Sequence, residues 1–348
     1  MATDLPRSGA PTRPAEISYG SDTHGLVWGY RFAPGQPPVS IGCEAAVQWL
    51  RTARADTTEF IWLHLSLSNV AAERWMHESL ELSEAFFESL HENTGSTRLE
   101  LEGDALIASV HDVLFNTSFD SANISTVTIW MDPRLVVSAR LRPLRSVDRL
   151  RAAVKAGEPV RSSAELLTQL LREQAQVLVD IVRQSTAQVD RVEDTLLANR
   201  VSVSRSELSA QRRSLVRLQR LLAPEPAALF RLLNRPPGWL SEADLSDLRQ
   251  AAEELSAAVA DSGALTERLK LLQEELTATV EEQTNRTLFI LTLVTVLALP
   301  INLVAGLLGM NVGGIPLAQH GNGFALVCGA LTLITGVLAY VLLIRRRD

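Results

Sequence analysis

The chain has 348 residues, with 33 Lys and Arg against 40 Asp and Glu and a formal net charge of −7. A globally acidic chain lacks the basic face that phosphates demand, which argues against nucleic acid as a partner and is compatible with gathering cations. Its two cysteines, Cys43 and Cys328, are far apart in the sequence and imply neither a disulfide framework nor a thiolate metal site.

The first residues, MATDLPRSGAPTRPAE, are Pro-rich and lack the apolar core of a signal peptide. They predict a disordered tail over residues 1–15 that stays in the cytoplasm. A mixed α+β domain is expected over 16–145. Leu26–Phe32, Phe60–Leu65, Arg98–Leu101, Ala105–Leu114, Ser125–Met131 and Leu135–Arg140 read as strands, by alternation or short apolar runs. Glu44–Ala53 and Ser79–Leu90 carry apolar residues three and four apart and predict helices.

From about Ser146 the composition shifts to Leu, Ala, Val, Glu, Arg and Gln, which predicts long helical arms over 146–286. A capping-type start at Ser162-Ser163-Ala164-Glu165 opens a helix running toward Asn199, and Ser204–Leu222 begins another. Pro224, Pro226, Pro236 and Pro237 are expected to interrupt that second arm and turn the chain near Gly238. A last helix from near Ser241 carries Leu245, Leu248, Ala252, Leu255 and Val259, then Leu265, Leu269, Leu272 and Leu276, at coiled-coil spacings. With only Gly263 in its path, it is expected to continue into the apolar segment beyond as one helix of roughly 65 residues, on the order of 100 Å.

Between Arg286 and Arg345 there is no Asp, Glu, Lys or Arg. The run divides into Leu288–Leu308 and Phe324–Ile344, each long enough to span a bilayer and each required to be helical there. The boundaries predicted are a first span over 287–310, an external loop over 311–323, a second span over 324–344 and a basic cytoplasmic tail over 345–348. Two spans return the C-terminus to its starting side, and Arg345-Arg346-Arg347 agrees with the positive-inside rule. Both termini are therefore expected in the cytoplasm of a cell whose inner (plasma) membrane holds the spans.

At heptad spacing the first span presents Asn285, Thr292, Leu299 and Gly306 on one line, with Leu288, Thr295, Asn302 and Gly309 on the next. Most of these are polar or small, while Phe289, Ile290, Leu291, Val294, Val296, Leu297, Ile301 and Val304 between them are bulky. Such a seam must be hidden from lipid, either by packing against the second span or by facing a water-filled channel. Two spans cannot enclose a pore, so the channel reading requires several copies around an axis. Stepping back by sevens from Leu288 meets Glu281, Glu274 and Glu267, a candidate acidic ladder whose inward orientation fades with the drift of a straight helix; its alternative is a solvated stalk face.

The stretch Leu299-Pro300-Ile301-Asn302-Leu303-Val304-Ala305-Gly306-Leu307-Leu308-Gly309-Met310-Asn311 resembles the first-span signature of the CorA-type two-transmembrane GxN metal transporters. The extension Val312-Gly313-Gly314-Ile315-Pro316 is similar to the ZntB-like zinc branch. The resemblance implies an αβα funnel domain, long stalk helices and a homopentameric channel-like assembly with five first spans around the pore. It implies a selectivity ring of Gly309, Met310 and Asn311, and pore-facing Asn285, Leu291, Leu299, Asn302 and Gly306; Leu291 lies one residue off the seam. The implied cargo is zinc, with magnesium, cobalt, nickel and cadmium as further candidates and protons as a candidate coupled ion.

The residue types agree with a neutral pathway. Five Asn311 carboxamides would give a ring of hard oxygen acceptors, suited to a divalent ion that keeps much of its water. No His, Cys or carboxylate lies on the seam, so stripped zinc coordination is not expected there. Leu299 with Leu288 or Leu291 supplies an apolar constriction that closes by dewetting. His111-Asp112 and His24-Asp22 are adjacent polar pairs without the spacing of a metal site, and His320 is the one titratable group of the external loop. No phosphate loop, nucleophile triad, zincin motif or CxxC occurs, so neither an enzyme nor an ATP-driven pump is expected, and no permanently bound cofactor. The alternatives are a magnesium or cobalt channel of the same family and, from another class, a membrane-anchored helical scaffold or sensor. A tether needs no polar seam.

Overall fold

A computed structural model describes residues 21–54, 57–91, 98–114, 124–197, 205–310 and 321–344. The predicted N-terminal tail, the segment 311–320 with Asn311 and His320, and the terminal arginines lie outside the described residues. The chain divides into two units, Met1–Leu271 and Leu272–Asp348.

The first unit is built on a seven-stranded sheet. Its strands are β1 (Leu26–Phe32), β2 (Val39–Ser40), β3 (Phe60–Ser66), β4 (Leu99–Glu102), β5 (Ala105–Val113), β6 (Ile124–Met131) and β7 (Leu135–Arg140), in the order β2-β1-β3-β7-β6-β5-β4. Only the β3–β7 pair is parallel. β3 reads as a continuous apolar run because both its faces are covered. Phe60 and Trp62 face one core, while Ile61, Leu63 and Leu65 face the other.

Helices α1 (Cys43–Thr52), α2 (Ala71–Ser79) and α3 (Glu84–His91) cover one face, with Ala46, Trp75, Met76, Phe86 and Phe87 buried against it. The other face carries α4 (Arg145–Lys155), α5 (Ser163–Leu197), α7 (Pro224–Asn234) and the first turns of α8 (Glu242–Leu308). α6 (Arg205–Leu222) lies between α5 and α7 in the chain, and α9 (Gly323–Ile344) follows α8. Helices on both faces of a mixed sheet make the expected αβα layering.

Three local readings are corrected. The helix expected over Ser79–Leu90 starts only at Glu84, as α3, because Leu80 is buried and extended at φ −119° and ψ 141°, where it closes α2, a helix the sequence reading did not anticipate. Pro224 and Pro226 do follow the end of the arm, since α6 stops at Leu222, but they do not simply turn the chain. They open α7, where a missing N–H costs nothing in the first turn. The residues after Leu144 form a separate short helix, α4, whose Val147, Leu150 and Val154 repeat every three to four positions into the core.

α8 is one uninterrupted helix of 67 residues. In the first unit its Leu248, Ala252, Leu255, Leu265 and Leu269 are buried, the stripe anticipated from their spacing. Arg268 of α8 grips α5 through Asp190 at 2.7 Å and through Glu193.

Candidate functional site

In the second unit, α8 from Leu272 onward and α9 carry the two stretches long and apolar enough to cross a membrane. Partial burial in the first span falls on Phe289, Leu293, Val296, Leu297, Ala298, Pro300 and Val304. Apart from Ala298, these lie on one face of the helix at spacings of three and four. In α9 it falls on Val327, Leu331, Thr335, Leu338 and Ala339. The polar seam lies elsewhere: Asn285, Leu288, Thr292, Thr295, Leu299, Asn302, Gly306 and Gly309 are all exposed, as are Leu291 and Met310. Packing within one chain does not cover the seam.

Thr295 donates its hydroxyl to the carbonyl of Leu291 at 2.7 Å, a bond internal to the helix that leaves the oxygen lone pairs facing outward. Pro300 removes the N–H that would otherwise bond the carbonyl of Val296, which is thereby freed. Gly309 still bonds back to Ala305, at 2.9 Å, and Met310 reaches Leu307 in a tighter last turn. Gly306 has open space where a Cβ would sit. The seam thus ends at Gly309, two residues before Asn311.

The three glutamates of the proposed ladder are exposed. Glu267, in the first unit, sits 3.8 Å from Lys270, so its charge is partly answered on its own helix. Glu274 and Glu281 belong to the second unit. Among the described residues no group of three or more His, Cys, Asp or Glu is placed to hold a metal ion.

Three histidines of the first unit and their acidic neighbours make structural contacts. Asp22 accepts the backbone N–H groups of His24 and Leu26, closing a turn. Asp112 accepts from both the backbone and the hydroxyl of Ser146, at 2.6 and 2.7 Å. His111 Nδ1 shares a hydrogen bond with Glu225 Oε1 at 2.9 Å. His64, fully buried, bonds Ser138 through Nδ1 and accepts from Arg140 through Nε2, both at 2.8 Å, and stacks on Trp28. Burial, then the positive charges of Arg140 and Arg151, hold His64 well below its ordinary pKa, so it is neutral. Cys43 is also inert: burial and the neighbouring Asp22 push its thiol up to about 12.

The pattern of the CorA-like Mg2+ transporter proteins matches residues 57–347. The chain belongs to that family. As a CorA-family protein it is a divalent cation transporter, not an enzyme. It is 30% identical over 291 residues to the divalent cation transporter CmaX of Pseudomonas aeruginosa, covering 83% of this chain and 87% of that one. It is 24% identical over 279 residues to the zinc transport protein ZntB of Pectobacterium atrosepticum, 80% of this chain and 85% of that one. The solved structure of full-length CmaX superposes with a TM-score of 0.79 at 27% identity, over 92% of this chain and 99% of that one. The CorA magnesium transporter of Methanocaldococcus jannaschii shares the fold, with a TM-score of 0.72 at 18% identity over 90% and 96% of the two chains.

Proposed function

We propose that this CorA-family chain carries zinc, partly hydrated, through a homopentameric pore lined by the first span, with Asn311 forming the outer ring. One observation carries the reading: the polar seam is exposed along the whole described span, while partial burial in both spans falls almost entirely on other residues. In lipid, a row of Asn and Thr needs a partner. Further copies of the same helix around a wet axis supply one, and the neutral acceptors suit an ion that keeps its shell. Similarity to proteins named for zinc transport supports the cargo.

In this reading residues 16–145 and 146–286 form the cytoplasmic funnel and stalk, both termini are cytoplasmic, and the spans lie in the inner membrane. The deciding experiment is flux into liposomes holding the purified protein, comparing zinc, cobalt, nickel, cadmium and magnesium with and without a pH gradient. Zinc should pass faster than magnesium. Magnesium passing at least as fast as zinc would favour the magnesium channel reading, which the family name itself supports.

A further inference from the structure

Charge is spread unevenly over the first unit. Between Glu207 and Glu242 the only acid is Glu225, whose side chain is buried, while the same stretch carries Arg212, Arg213, Arg217, Arg220, Arg231 and Arg235. On α6 three of these share one face: Arg213, Arg217 and Arg220 follow at spacings of four and three and are exposed, with Val216 exposed beside them. The opposite face buries Leu208, Leu215, Leu218 and Leu222. That face packs on the arm, where the Gln211 amide donates to the Ser185 carbonyl of α5 at 3.3 Å and the Gln219 amide lies 2.8 Å from where a Cβ of Gly263 in α8 would sit. Like charges one turn apart on a helix repel. None of Arg213, Arg217, Arg220 and the exposed Arg231 of α7 has an ion-pair partner among the described residues.

The other side of the sheet carries the opposite sign. α2 and α3 hold Glu73, Glu78, Glu84 and Glu88, with Glu81 between the two helices, against a single Lys or Arg, Arg74. Glu73 meets His91 at 2.8 Å, but Glu78, Glu81, Glu84 and Glu88 are exposed and have no ion-pair partner among the described residues. Burial of Trp75, Met76, Phe86 and Phe87 against the sheet turns these glutamates outward. Because α1–α3 cover one face of the sheet and the arm helices the other, one chain cannot bring its two charged surfaces together. Two unlike, complementary surfaces on opposite sides of a chain are what a head-to-tail contact needs, and such a contact closes into a ring when its rotation fits.

We propose that the arginine face of α6 docks on the glutamate layer of α2 and α3 in a neighbouring copy, so that the first unit joins a cyclic assembly through charge. This contact rests on the several-copy pore proposed above and adds the soluble surfaces through which the copies meet. Exposed pairs of this kind set orientation and the rate of encounter more than the depth of binding. Salt weakens them, since the screening length falls from about 10 Å at 0.1 M to about 3 Å at 1 M.

The test follows intact assembly of the full chain by native mass measurement through a temperature series in mild non-ionic detergent, at about 0.05 M and about 0.5 M salt. Arg213→Glu, Arg217→Glu and Arg220→Glu together should lower the dissociation midpoint by about 4 °C at low salt, the loss of three exposed ion pairs, and by less at high salt. Glu81→Arg, Glu84→Arg and Glu88→Arg together should do the same. All six changes in one chain should restore the parent midpoint, which a merely misfolded variant cannot do. Arg213→Gln, Arg217→Gln and Arg220→Gln, which add no charge, should give a smaller shift of the same sign and serve if reversal prevents assembly. An unchanged midpoint in both reversed variants, or six changes no better than three, overturns the docking, while a conducting pentamer leaves the pore reading standing. Arginine variants that keep the midpoint but lose affinity for vesicles containing phosphatidylglycerol would make a lipid surface the occupant and also overturn it. A parent chain that conducts as a monomer would instead remove the pore reading, and the ring with it.

Discussion

A carboxamide at the mouth of a pore offers a neutral oxygen to an ion that still wears its water, and hydrocarbon offers nothing. On the proposed reading, Asn311→Leu should cut zinc flux in proteoliposomes by about tenfold or more, each tenfold being roughly 1.4 kcal/mol at the barrier. Assembly should be unchanged, since Leu is a good helix former; an assembled variant that carries zinc at the parent rate would make Asn311 a helix cap. Asn302→Leu, deeper in the exposed seam, should impair flux more mildly. In the sheet, Gly29 of β1 has the Ile41 carbonyl oxygen 2.4 Å from where a Cβ would sit. That oxygen is backbone and cannot swing away. Gly29→Ala should therefore cost about 2 kcal/mol of stability, within the usual range for overpacking, and show as a lowered thermal midpoint.

Among the elements, those written in local patterns were legible from sequence. The apolar runs of β1, β3 and β5–β7, the stripe of α8 from Leu248 to Leu269 and the two spans all announce themselves by period or length. The break at Leu80 did not, because its cause is a core position that an extended residue reaches and a helical one does not. The grip of Glu225 and Gln174 on His111 was equally hidden, with partners 114 and 63 residues apart. The seam was visible as a heptad line, but what faces it depends on other copies. The acidic ladder carries the same dependence, and Glu281 is its strongest member because it lies nearest the seam. Glu281→Gln should lower zinc flux at low ionic strength and matter less in high salt, where screening falls to about 8 Å and below. Equal flux at both salt levels would put Glu281 on the outer face of the stalk.

For the whole molecule, the exposed seam sets a requirement that no single chain meets. The second span is apolar throughout its described length apart from Thr332, Thr335 and Tyr340, and both threonine hydroxyls are committed to carbonyls one turn back in their own helix. It therefore brings little with which to satisfy Asn302, whose amide must find water or another copy's polar groups. Five first spans around an axis would give each seam both. Native mass measurement in mild detergent should accordingly find a homopentamer. A chain ending near Glu282 keeps the buried sheet and arm helices of the first unit but loses both spans, so it should stay soluble and associate more weakly at equal concentration. The two measurements separate the sources of assembly: a truncated chain as firmly pentameric as the parent would place the interface in the soluble arms. A monomer or dimer of the full chain that still conducts zinc would remove the reason for a shared axis, and with it the assignment of Asn285, Thr292, Thr295, Leu299, Asn302 and Gly306 to a common pore.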